Sequence, residues 1–388
     1  MKKLVQKRPI LRNTIDNYRK EGYMLNKAAV MKGPNTPVVI ADFPDPELER
    51  GAVLLRTLAS DLCGTDVHLF RGHLAGVPYP IIPGHISAGK VESIGGEVQD
   101  FMGSILQEGD VVTFHDVHET CYNCWYCLVA KATNKCPNRK VYGITYSCKN
   151  PPHLLGGWSE KIYLKPRVRV IKLPSRVSPQ LMIAGGCALP TSIHAMDRAE
   201  VRLGDTVVVQ GSGPVGLCAA ILSQLSGAVR VIMVGAPKLR LDIAKSLGVD
   251  STINIQEYDS ESRVKRILEL TEDRGADVVI EATGNPTAVS EGMRMVRDAG
   301  RFIVVGQYTN AGDVTINPHL QINKKHLEIR GTWGLEFDHL YRAVQILSRY
   351  ADRFPWTDFI TKEFTLSEAN EAIKSVERLE VVKALIRP

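Results

Sequence analysis

One strand, glycine turn and helix near the middle of the chain restrict the possible folds more than any other feature. Thr206-Val207-Val208-Val209-Gln210 is an unbroken apolar stretch that runs into Gly211-Ser212-Gly213-Pro214-Val215-Gly216, and a helical pattern follows to Leu225. A strand without polar alternation is covered on both faces, as in parallel sheets whose crossovers are helices. The texture repeats. Arg230 to Val234, Asp277 to Glu281 and Phe302 to Val305 read as strands, with helices over Leu239 to Leu247 and Ala288 to Val296. Such alternation predicts a doubly wound parallel sheet. In that setting the glycines allow a tight turn and close approach of backbone to a pyrophosphate, while the helix N-terminus offers free amides to the anion. Gly211, Gly213, Pro214, Val215 and Gly216 are therefore the predicted dinucleotide site. The next strand ends at Gly235, where an NAD site would carry an acid for the ribose diol, and Lys238 and Arg240 follow closely. The missing carboxylate and the two cations tilt the expectation towards NADP, with NAD as the other possibility.

The first half reads differently. Ala28-Ala29-Val30-Met31, Val38-Val39-Ile40, Ala52 to Thr57 and Gly109 to Phe114 are short apolar runs separated by Pro and Gly, the style of a strand-rich lobe. Residues 1 to 25 are polar and basic without a motif and are expected to be a loosely packed extension. Within this half lies Cys121-Tyr122-Asn123-Cys124-Trp125-Tyr126-Cys127, closed by Cys136. Four thiols at this spacing suit one tetrahedral zinc, and with all four positions taken by sulfur the site is structural. Disulfides are the competing explanation, but three cysteines at two-residue gaps are awkward to pair among themselves.

Cys63 in Cys63-Gly64-Thr65-Asp66-Val67-His68, His85 after Pro83-Gly84, and Cys187 after Gly186 offer two thiolates and an imidazole on three segments. Three protein ligands and an open fourth position form the usual catalytic zinc site. Together with the four-cysteine lobe, the glycine turn, Asp277 to Gly284 and the last basic strand, these segments resemble the zinc-dependent medium-chain alcohol and polyol dehydrogenases from about Lys27 to Pro388. The resemblance implies an α/β protein in which a GroES-like β-rich catalytic domain is interrupted by a Rossmann coenzyme domain. The expected bounds are 1–187, including a structural-zinc lobe at 115–140, then 188–333, with 334–388 returning to the catalytic domain. It also implies that Cys63, His85 and Cys187 hold a catalytic zinc, that Asp66 orients His85, and that Thr65 and His68 relay the substrate proton. By the same resemblance Thr191 packs near the nicotinamide and Lys383 meets the pyrophosphate. The chain departs from the family at Ile86, where a glutamate is usual, and in a gap from Cys127 to Cys136 that is one residue longer than the commonest pattern.

The expected activity is thus hydride transfer between an alcohol or polyol and NAD(P), with two zincs per chain. An epimerase or lyase using transient oxidation, or a non-catalytic dinucleotide-binding zinc protein favoured by Ile86, would share most of these features. A formal charge of +6 without a basic stripe speaks against nucleic acid, and the lack of a long apolar run or signal sequence against a membrane. A cytoplasmic homodimer or homotetramer acting on a small alcohol or carbonyl compound is expected. Pocket shape, and with it substrate identity, is not readable from composition.

Overall fold

The computed structural model describes residues 24–388, so the extension expected over residues 1–25 lies almost wholly outside the described residues. An antiparallel hairpin, β1 (Leu25–Val30) and β2 (Val39–Pro44), opens the first lobe. The main strands of this lobe are β3 (Val53–Leu62), β4 (Ser87–Ile94) and β5 (Val111–Phe114). A small ribbon of β6 (Val117–His118) and β7 (Lys140–Val141) brackets the cysteine lobe, and β8 (Lys161–Leu164) and β9 (Val170–Lys172) follow.

The chain then winds a six-stranded sheet from β10 (Thr206–Gln210), β11 (Arg230–Gly235), β12 (Ser251–Asn254), β13 (Ala276–Glu281), β14 (Val296–Val304) and β15 (Glu328–Gly331). All its pairs are parallel, in the order β12-β11-β10-β13-β14-β15. Afterwards β16 (Ile360–Thr365) and β17 (Lys383–Arg387) rejoin the first sheet, giving the order β16-β17-β3-β4-β5-β9 with β8 beside β3. β17 lies antiparallel to the end of β3, with Leu385 opposite Asp61. The last strand of the chain therefore delivers side chains next to the residues just before Cys63.

Burial explains the apolar runs. Val207, Val208 and Val209 are fully buried, because Val207 and Val209 pack with the helix Pro214–Leu225 while Val208 packs with Ile232, Ile267 and Phe302 on the other face. Three elements of the sheet system were not legible: β12, β15 and the helix Ser260–Leu270. β12 and β15 are the two sheet edges, and their polar sequences Ser-Thr-Ile-Asn and Glu-Ile-Arg-Gly reflect one solvated side. Among the described residues no helix is long and apolar enough to cross a membrane.

Candidate active site

Cys63 ends β3 and caps the helix Gly64–Arg71. Its sulfur accepts from the Thr65 amide at 3.4 Å, and its own amide donates to Asp66 Oδ2 at 3.0 Å. Asp66 is fully buried, and its other oxygen accepts from the Gly84 amide at 3.4 Å. One carboxylate thus ties the Cys63 segment to the turn that carries His85. The Cys63 sulfur lies 3.8 Å from His85 Nε2, and Cys187 arrives at the N-terminus of the helix Ala188–Ala199. The ligand-type atoms of Cys63, His85 and Cys187 all lie within 4.8 Å of one another.

The electrostatics of this cluster suit a cation. The Cys187 thiol donates towards Cys63 and pulls the Cys63 pKa down, while the same contact and burial push Cys187 up. Burial presses the His85 imidazolium down, but the Cys63 thiolate outweighs it and lifts the pKa to about 10. Asp66 is raised to about 8 by burial and then by Cys63. A buried imidazole and two half-buried sulfurs with this much negative charge in common match a soft divalent ion such as zinc.

Two residues stand differently from what the family resemblance implies. Lys383, expected on a pyrophosphate, is 1% exposed and its ammonium lies 2.9 Å from the fully buried carboxylate of Asp61. Desolvation opposes the charge on Lys383, but Asp61 and Cys187 hold it firmly protonated. Gly186 makes room for this pair. A Cβ there would sit 2.0 Å from Lys383 Nζ and 2.3 Å from Asp61 Oδ2, and its φ of 47° is a region that disfavours side chains. Asp66, expected to orient His85, instead spends its oxygens on backbone amides, and His85 Nδ1 has no hydrogen-bond partner among the described residues. Ile86 is fully buried in the apolar core.

A cavity of about 620 Å³ opens above the triad. Thr65, His68 and Thr191 line it, as do Gly213, Pro214 and Val215 of the glycine turn, so the metal cluster and the predicted dinucleotide site share one space. His68 Nδ1 lies 3.2 Å from Nδ1 of the exposed His73. Burial, with the charge of His73, lowers the His68 pKa. At the far end of the glycine turn Gly235 has no space for a side chain, since a Cβ would lie 2.5 Å from Ser212 Oγ. An acid at that point is therefore excluded sterically. Lys238 is paired with Asp242 at 2.6 Å, and Arg240 turns inward to donate to the Val381 carbonyl at 2.8 Å, leaving its buried Nε without a partner.

Cys121, Cys124, Cys127 and Cys136 also converge, with sulfurs of neighbouring pairs 3.5 to 3.9 Å apart. Their lobe is fastened across the molecule. The Asn134 amide donates to Glu336 Oε1 at 2.8 Å, Thr133 donates to the same carboxylate, and Asn134 Nδ2 donates to the Trp333 carbonyl at 3.0 Å.

The sequence reading missed Asp61, Asp116, Arg139 and Tyr308. Asp61 carried a usable signal, the one carboxylate in β3, set between apolar neighbours near the end of the strand. Tyr308 stacks on Trp333 at a centroid distance of 5.8 Å and lines the cavity, but nothing in the sequence near it marks a site.

Residues 49–175 match the model of the alcohol dehydrogenase GroES-like domain, and residues 214–349 match that of the zinc-binding dehydrogenases. A 5-exo-hydroxycamphor dehydrogenase of Pseudomonas putida is 33% identical over 362 residues, which cover 93% of this chain and 98% of the relative. A sorbitol dehydrogenase of Halalkalibacterium halodurans is 27% identical over 355 residues, 90% of this chain and 95% of its own. Among solved structures, an alcohol dehydrogenase from Thermotoga maritima superimposes with a TM-score of 0.89 at 35% identity, covering 94% of this chain and all of that one.

Proposed function

The chain belongs to the zinc-dependent medium-chain alcohol and polyol dehydrogenase family, and from that premise we propose how its own residues serve the reaction. It is an oxidoreductase that transfers a hydride between an alcohol and a nicotinamide dinucleotide, with an aldehyde or ketone as the oxidised product. Cys63, His85 and Cys187 hold the catalytic zinc; Cys121, Cys124, Cys127 and Cys136 hold a second, structural one. The observation that carries this is the convergence of the first three within 4.8 Å in the cavity that also receives the glycine turn. When bound, zinc supplies a Lewis acid to the alcohol oxygen and the nicotinamide ring accepts the hydride.

The remaining work belongs to the chain. Thr65 and His68 face the cavity and take up the proton that the alcohol loses; the lowered pKa of His68 leaves its imidazole free to accept at neutral pH. Thr191 packs against the nicotinamide, and Gly211, Gly213, Pro214, Val215 and Gly216 hold the pyrophosphate. The steric exclusion of an acid at Gly235 favours NADP over NAD. Among the described residues, those up to 187 together with 334–388 form the catalytic domain around a coenzyme domain at 188–333. Eight cysteines without a disulfide among the described residues suit a cytoplasmic protein, and the family relationship supports a homodimer or homotetramer.

Metal analysis of the purified protein is expected to give two zincs per chain, and Cys124→Ser to leave one. Turnover of secondary alcohols and polyols, followed by nicotinamide absorbance, is expected with NADP ahead of NAD. A protein that retains one zinc and oxidises nothing would refute the assignment. Asp66→Ala frees both ligand segments at once and is expected to weaken zinc retention on the order of 10- to 100-fold. Competition with a chelator measures this, and unchanged retention would show that Asp66 is only a helix cap.

A further inference from the structure

Glu281, the last residue of β13, is fully buried, yet no ammonium or guanidinium pairs with it among the described residues. Burying a carboxylate is costly unless hydrogen bonds replace its water. Here the replacements come from two loops. Oε1 accepts from the Thr283 amide at 2.7 Å, the Thr283 hydroxyl at 2.6 Å and the Gly284 amide at 3.0 Å. The Gly306 amide is shared between the Glu281 carbonyl at 2.9 Å and Oε2 at 3.2 Å. One side chain thus fastens the loop after β13 to the loop after β14. The loops meet so closely that a Cβ on Gly306 would lie 2.5 Å from the amide nitrogens of Thr283 and Gly284. Both loops face the site. Ala282, Thr283, Val305 and Gly306 line the cavity together with Cys63, His85 and Cys187, whereas Glu281 itself does not. The wall continues through Tyr308, whose amide donates to the Gly306 carbonyl at 2.7 Å and whose ring stacks on Trp333.

We infer that Glu281 is a positioning residue for the nicotinamide end of the dinucleotide, acting through the two loops that form the cavity wall beside the metal cluster. Its oxygens are spent on those loops, so it has no part in the chemical step. Without the carboxylate the loops are free to separate, and the cofactor has to order them as it binds, at a loss of affinity. Glutamine shows why an acid is needed at this point. It can keep its oxygen towards Thr283 and Gly284, but its NH2 then faces the Gly306 amide, donor against donor. Aspartate keeps the acceptors but is one methylene short of serving both loops.

This inference rests on the dinucleotide-binding part of the oxidoreductase reading and adds to it a residue that sets cofactor affinity. The test titrates NADH and NADPH by calorimetry, without substrate, into the zinc-loaded native chain, Glu281→Gln and Glu281→Asp. ADP-ribose, or its 2′-phosphate where NADPH is preferred, is titrated in parallel as a probe that lacks the nicotinamide ring. Glu281→Gln is expected to weaken the preferred reduced cofactor by about tenfold or more, the effect of one unsatisfied buried polar group, while the probe stays within about twofold. Glu281→Asp is expected to fall between Glu281→Gln and the native chain. Unchanged cofactor affinity in Glu281→Gln would overturn the inference. So would an equal loss for cofactor and probe, since that marks a general weakening of the coenzyme domain. If Glu281→Gln does not fold, the same two ligands decide the matter on Glu281→Asp. A native chain that binds neither NADH nor NADPH would instead refute the oxidoreductase reading itself.

Discussion

His85→Asn lowers kcat/KM for alcohol oxidation on the order of 1,000-fold or more and removes one zinc per chain while the other stays. The magnitude follows from what a Lewis acid supplies, several kcal/mol of charge stabilisation in the transition state, with each 1.36 kcal/mol worth about tenfold in rate. His85 is the only nitrogen in the cluster, and its Nε2 is 3.8 Å from the Cys63 sulfur. Asparagine keeps a polar side chain on the same turn but does not reach that far, so the two thiolates lose their third partner. The four-cysteine lobe has its own sulfurs and its own fastening to Glu336, so its zinc is expected to remain. The measurement pairs metal content with steady-state kinetics on one preparation. Two zincs retained with activity within tenfold of the native chain would show that His85 is not a ligand.

Lys383→Met is expected to destabilise the fold by about 3–5 kcal/mol, the cost of leaving one member of a buried ion pair alone. Asp61 is fully buried, and its Oδ2 reaches both Lys383 and, at 3.4 Å, the Cys187 amide. Without the ammonium, a carboxylate and two sulfurs that already press on one another share an apolar pocket. The companion double substitution Asp61→Asn with Lys383→Met is expected to recover much of the loss, because it removes the stranded charge along with its partner. Denaturant unfolding of the two variants and the native chain decides between this and simple packing. If the single and double variants fall equally, the charge is not the cause. The pair also bears on Ile86. The carboxylate that the family usually places after the metal-binding histidine is absent, but β17 and β3 bring Asp61 and Lys383 beside the same cysteines, so the departure at Ile86 does not leave the cluster without a neighbouring carboxylate.

Much of the fold was legible because its signals are local. The buried strands Thr206–Gln210 and Arg230–Gly235 read as strands because their side chains have no solvated face, and Pro214 marks the first turn of the helix behind the glycine turn. β12 and β15 escaped because sheet edges need no apolar pattern. In the site, Cys63, His85 and Cys187 were recognisable from the short segments that carry them, yet the partners of those segments were not. Asp66 hydrogen bonds to the Cys63 and Gly84 amides and not to His85, and Lys383 pairs with Asp61, because each buried polar group settles on whichever opposite dipole or charge the packing brings nearest.

The sequence by itself determined the composition of the machinery: a glycine turn between a buried strand and a helix, four thiols at metal spacing, and three further donors on separate segments. Spacing along the chain is enough for these, since each depends on residues a few positions apart. Only the tertiary structure decided which distant residues share a space. Asp61 meets Lys383 across 322 positions because β17 returns to β3, and Asp116 and Arg139 face one cavity because the β6–β7 ribbon folds over it. Burial and Coulomb forces act through distance in space, and no local pattern in a sequence encodes that distance.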